Sequence, residues 1–202
     1  MQRRSFLAAL AATTALPKTA AAADGSPLTR PWVGPYGGVP AFDLVKVADF
    51  DPAMSQAMAA ELAEVDAIAQ SKAKPSFENT IAALERSGKT SQRVGSFYGI
   101  WTSTLNTPDM QAVEAALEPR LAAHGDKIVQ NPALFARIEA VYKARKALTP
   151  EQQRLTWVYW NSFTRAGASL SPAAKTRVAA INQELAGDFT AFSQNQIGRA
   201  HV

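Results

Sequence analysis

From residue 51 onward a short polar residue is followed directly by proline five times: Asp51-Pro52, Thr107-Pro108, Asn131-Pro132, Thr149-Pro150 and Ser171-Pro172. Each pair predicts a helix start. The polar oxygen accepts from an N–H group that has no partner inside the helix, and proline at the first helical position loses no bond and has φ already set. Gln152, three residues after Thr149, adds a capping box. Ser76 reads as a sixth cap, with Glu78 in the first turn, where its charge suits the helix dipole. The stretches that follow carry apolar stripes at helical spacing. These are Met54, Met58, Leu62, Val65 and Ala69; Val94, Phe97, Trp101 and Leu105; and Met110, Val113, Leu117 and Leu121. Further along come Leu134, Ile138 and Val141; Leu155, Val158 and Tyr159; and Val178, Ile181, Leu185, Phe189 and Phe192. The predicted fold class is all-α, a succession of amphipathic helices, each laying its stripe on a shared core. Pro119 is expected to kink or split its helix, because it removes an internal bond. Only Leu44 to Val47 could form a short extended piece.

A chain of 202 residues, 47% of them hydrophobic, is long enough to bury a core. It has no cysteine, so disulfides and thiolate zinc sites are excluded. Of its 21 basic residues, Arg3, Arg4 and Lys18 lie in the first 23 positions, leaving 18 against 17 acidic ones. A nucleic-acid binder keeps a clustered basic surplus, so this balance argues against such a partner.

Residues 1–23 have the order of an export signal: Arg3-Arg4, an apolar stretch from Phe6 to Leu16, then Pro17, Lys18 and Ala20 to Ala23. Arg3-Arg4-Ser5-Phe6-Leu7 has the form of a twin-arginine signal, with an ordinary Sec signal as the alternative. The apolar part is too short to span a bilayer. Cleavage is expected near Ala22 or Ala23, which places the mature protein in the periplasm or otherwise outside the cytoplasm, with no transmembrane segment. Residues 24–50, rich in Pro and Gly, read as an extended leader with turns, and residues 51–196 as the helical domain.

Candidate chemistry is sparse. His124 and His201 share no helical spacing, and neither lies in a His-Glu-x-x-His pattern, which would set two zinc ligands one turn apart. His124 reads as a boundary histidine. Asp43, Asp49 and Asp51 lack the central Gly and closing Glu of a calcium loop, and Asp51 reads as a cap. Glu61, Glu64 and Asp66 read as the solvated face of a helix. Gly95 and Gly99 suggest close packing of two helices. Trp157, Tyr159 and Trp160 suggest core packing with one exposed edge, with ligand stacking as the other reading. Gly37-Gly38 is a turn signal with no phosphate-loop lysine after it. No catalytic, cofactor-binding or metal-ligating role is assigned to any residue of the chain.

Several short pieces recur in an order that resembles a known family. Pro40-Ala41-Phe42-Asp43 precedes Asp49-Phe50-Asp51-Pro52-Ala53. Phe77-Glu78-Asn79-Thr80-Ile81 leads to Ala83-Leu84-Glu85-Arg86-Ser87-Gly88, then Leu134-Phe135-Ala136-Arg137-Ile138. Leu148 to Leu155, Phe163-Thr164-Arg165-Ala166-Gly167-Ala168 and Ile181-Asn182-Gln183-Glu184-Leu185 complete the series. In these pieces the chain resembles the N-terminal part of the thimet-oligopeptidase family of zinc metallopeptidases, most of all its peptidyl-dipeptidase (Dcp-like) branch, with oligopeptidase A as near neighbour. The resemblance implies a helical protein with a deep cleft for short peptides, a zinc held by two histidines and a glutamate, and release of C-terminal dipeptides. The family's zinc ligands lie downstream of the part matched here, so zinc is implied for a full-length parent and none for this chain. The missing C-terminal catalytic part would be its partner. Ile197 to Val202 leave the family pattern and match the translation of a common short-read sequencing adapter. Residues 197–202 are therefore expected to be an artefactual tail. The alternative reading is a non-enzymatic periplasmic binding or scaffold module.

Overall fold

The computed structural model of the chain describes residues 26–35 and 38–199. The expected export signal, Gly37, His201 and the last residues of the tail lie outside them. The fold is all-α: among the described residues no strand forms, and only Val33 and Val39 pair as an isolated bridge. The helices are α1 (Phe50–Ala69), α2 (Ala82–Arg86), α3 (Lys89–Thr104), α4 (Pro108–Val129), α5 (Pro132–Ala144), α6 (Pro150–Arg165) and α7 (Pro172–Arg199).

Thr107, Asn131 and Thr149 cap α4, α5 and α6, each side chain accepting from the backbone N–H three residues on, and Thr149 and Gln152 form the reciprocal box. Ser171 does the same for Ala174 at 3.4 Å. Asp51 departs from this pattern. A 3₁₀ turn, Val47–Asp49, runs directly into α1, and Asp49 accepts the Lys46 N–H at 2.8 Å. Asp51 therefore sits inside the first turn, where its carboxylate accepts from Arg120 Nη1 at 2.7 Å and from the Ser55 hydroxyl. That guanidinium holds the Asp51 carboxyl below its usual range. Val45 and the extended Lys46 merely link two 3₁₀ turns.

Pro119 does not split its helix: α4 runs unbroken from Pro108 to Val129. Proline removes one internal bond, and the flanks are clamped. Leu117 is fully buried, Tyr98 donates to Glu118 Oε1 at 2.8 Å, and Arg120 reaches Asp51 on α1.

Two apolar clusters share α1. Its first half, with Phe50, Ala53, Met54 and Ala57, packs on Val94 and Phe97 of α3 and on Met110 and Leu117 of α4. Its second half, with Val65 and Ala69, packs on Ile81, Leu84, Leu134, Ile138, Val141 and Phe163. Burial of one such large side chain contributes about 1.5–3 kcal/mol. Leu28, in the Pro/Gly-rich leader, is fully buried in the first cluster, and Trp32 packs edge-on to Phe97 beside it. The leader is thus bound into the core.

Among the described residues nothing packs closely on Gly95 and Gly99 of α3, since a Cβ at either position would meet no atom within 4 Å. The core lies on the opposite side of α3, where Val94, Phe97 and Tyr98 are buried.

Candidate functional site

The motifs that carry the family resemblance turn out to build joints. Ser76 and Asn79 form a reciprocal capping box at the start of a π turn, Phe77–Ile81. Asn79 Oδ1 also accepts from Arg137 Nη2 at 2.9 Å. Arg137, buried on α5, sends its other terminal nitrogen to the carbonyl oxygens of Ser71 and Ala73 at 2.9 and 3.0 Å. One guanidinium therefore pins the whole connection between α1 and α2. A buried charge placed this way depends on these three bonds, because an uncompensated one costs several kcal/mol, and its Nε–H is left without an acceptor. Sequence reasoning missed Arg137, whose only signal was a charged residue inside the apolar run from Leu134 to Ile138. The Phe163–Ala168 motif ends α6: Gly167 takes φ +95°, its N–H donates to Thr164 O, and the Ala168 N–H donates to Phe163 O at 2.9 Å. This is a Schellman closure.

The acidic trio of α1 is not a uniformly solvated face. Glu61 Oε2 lies 2.9 Å from His124 Nε2, and the two side chains are only 22% and 11% exposed. The His124 contact draws the Glu61 carboxyl below its usual range, with a smaller contribution from Ser91. Glu64 accepts the Gly88 N–H at 2.7 Å, and Asp66 faces Asn131 Nδ2 at 3.4 Å. Glu61 and Glu64 thereby lock the α2–α3 turn onto α1, and His124 ties α4 to the same point. His124 Nδ1 is buried without a partner. A single imidazole beside a single carboxylate lacks the three protein donors that a catalytic zinc requires. Among the described residues no three His, Cys, Asp or Glu side chains converge on a point. The donor set seen here does not fit the family's metal.

The aromatic trio on α6 has three separate partners. Trp160 stacks on Tyr142 at 4.1 Å, and the Arg145 guanidinium lies 3.8 Å from the Tyr142 ring centre. Tyr159 donates to Glu85 Oε1 at 2.7 Å, and burial, reinforced by Glu85, pushes its hydroxyl pKa up. Trp157 lies under Arg154. Trp160 and Tyr159 tie α6 to α5 and α2, Trp157 meets only a residue of its own helix, and the three rings form no common ligand platform.

The exception to the packing pattern is α7. Its polar and small face meets α4: Lys175 Nζ donates to Gln130 O at 3.0 Å, Asn182 Nδ2 to Asp126 Oδ1 at 2.8 Å, and Gln194 Nε2 to Gln111 O at 2.9 Å. Thr190 is buried along the same line. The apolar stripe, expected on the core, points outward: Ile181, Leu185, Phe189 and Phe192 are 36%, 44%, 67% and 62% exposed. Two faces of α7 were competent to pack, and periodicity alone could not tell which one α4 would take. Among the described residues no helix is long and apolar enough to cross a membrane.

No family model matches the chain. Among curated proteins, the dipeptidyl carboxypeptidase of Salmonella typhimurium (strain LT2) is 34% identical over 171 residues, covering 84% of this chain and 25% of that protein. The dipeptidyl carboxypeptidase of Escherichia coli (strain K12) is 33% identical over 168 residues, covering 82% of this chain and 24% of that protein. The chain thus spans about a quarter of the length of the curated relatives it matches. Over more than four fifths of its length the chain is a homologue of these dipeptidyl carboxypeptidases, the Dcp-like branch its sequence resembles.

Proposed function

We propose that this chain is the N-terminal helical part of an exported zinc metallopeptidase that trims short peptides by releasing dipeptides from their C-termini. In this reading it walls the substrate cleft, and the zinc and its ligands belong to the rest of a longer protein. Homology to dipeptidyl carboxypeptidases supports the peptidase class. The observation that carries the division of labour is the outward apolar stripe of α7. Four large apolar side chains in one line on a helix already anchored by its other face form a patch of the kind that marks an interaction surface. The natural occupant is the portion of a peptidase chain that the relatives possess beyond the matched quarter.

Co-expression tests this directly. A second polypeptide, made from the remainder of a relative's sequence, should co-purify with this chain. Leu185→Ser together with Phe189→Ser should abolish the association while α1–α6 stay folded. Wild-type chain that stays separate from that polypeptide, or association untouched by the two substitutions, would refute the proposed packing. The twin-arginine reading of residues 1–23 has its own test. Those residues fused to a folded reporter should direct it out of the cytoplasm, and Arg3→Lys with Arg4→Lys should stop the export. Export unaffected by the two changes would favour the Sec route.

A further inference from the structure

Away from the α7 face, one cavity combines cationic groups with unused donors. It has a volume of about 420 Å³ and is lined by Pro31, Trp32, Lys89, Gln92, Arg93 and Ser96. No carboxylate lines it. Arg93 is fixed in place, its Nη2 donating to Thr29 O at 3.1 Å and to Thr90 Oγ1 at 3.0 Å. Among the described residues, neither Lys89 nor Arg93 forms an ion pair. The Trp32 indole N–H and the Arg93 Nε–H are both shielded from water and have no acceptor. An unsatisfied buried donor costs about 1–3 kcal/mol. Two of them on residues that line one cavity, beside two unpaired cations, are what an oxyanion would satisfy. Lys89 also opens α3, where the helix dipole adds positive potential.

We propose that this cavity binds a small oxyanion, a carboxylate or a phosphate. Lys89 supplies the main charge, Gln92 and Ser96 supply neutral hydrogen bonds, and the Trp32 indole N–H and the Arg93 Nε–H, both covered in this structure, each turn onto the ligand as it binds. A carboxylate takes the single unused Nε–H of Arg93, whose Nη2 is committed to Thr29 and Thr90, and a phosphate offers more acceptors to the Lys89 ammonium. The site is independent of the peptidase reading, since it uses only the leader and α3.

The test is a titration of the isotope-labelled full chain with sodium phosphate and, separately, sodium acetate, with chloride holding ionic strength constant. The readouts are the Trp32 indole N–H and Arg93 Nε–H resonances. Both should move saturably with at least one of the two anions. The preferred anion identifies a tetrahedral or a planar ligand, and Lys89→Ala should weaken binding about tenfold, the equivalent of one charged contact of about 1.4 kcal/mol. Resonances that do not move with either anion would overturn the proposal. So would equal shifts in the wild type and a Lys89→Ala variant whose other amide signals are unchanged, because that would be a general salt effect.

Discussion

Gly88 ends α2 and opens α3 at φ +67°, and a Cβ there would lie 2.5 Å from Glu61 Oε1. Glu61 cannot readily yield, because His124 holds it. Gly88→Ala should therefore cost about 1–2 kcal/mol in urea unfolding, from backbone strain and the disturbed carboxylate together. Glu61 itself makes stability depend on acid. Its carboxyl is held below the ordinary glutamate value of 4.5 by the His124 contact, so its contribution is complete above that value and is lost as pH falls through the depressed one. Glu61→Gln should lower stability by about 1–2 kcal/mol at neutral pH, the size of one charge-assisted hydrogen bond, and should flatten the fall of stability with acid. Urea midpoints measured from pH 7 down to pH 3 would check both. The caps were legible one residue at a time, because the side-chain oxygens of Thr107, Asn131 and Thr149 accept from N–H groups only three positions away. Arg137 and the Glu61–His124 contact were not, because their partners are about sixty positions distant along the chain.

At the scale of elements, the helix starts read from the sequence hold wherever the cap oxygen is left to its own helix. Thr149→Ala removes the hydroxyl that accepts the Gln152 N–H, leaving only the bond from the backbone N–H of residue 149 to Gln152 Oε1, and should cost about 1 kcal/mol. Asp51 fails as a cap because a preceding 3₁₀ turn moves the start of α1 upstream and Arg120 claims the carboxylate. The stripes of α1, α4 and α5 were legible because each of those helices has a single apolar face. α7 was not, since a face of alanine, threonine and amide side chains can meet α4 through hydrogen bonds while the larger apolar face waits outside. The double variant Phe189→Ser and Phe192→Ser should therefore leave the thermal midpoint within about 2 °C of wild type, as surface substitutions do, and should sharply reduce binding of an apolar fluorescent dye. A large drop in the midpoint would mean that these rings belong to the core.

For the whole molecule, α1 is the spine: one half belongs to each apolar cluster, and the leader, the α2–α3 turn and the α5 guanidinium are all fastened along it. The family-like residues maintain shape, which explains why the likeness could be read in order along the chain while no catalytic constellation could be read at all. The decisive measurement is peptide hydrolysis by the purified chain supplied with zinc, with and without a chelator, alone and in the presence of the remaining portion of a dipeptidyl carboxypeptidase. The account predicts no chelator-sensitive release of dipeptides by the chain alone, and activity only when the other portion is present. Zinc-dependent turnover by this chain alone would contradict it.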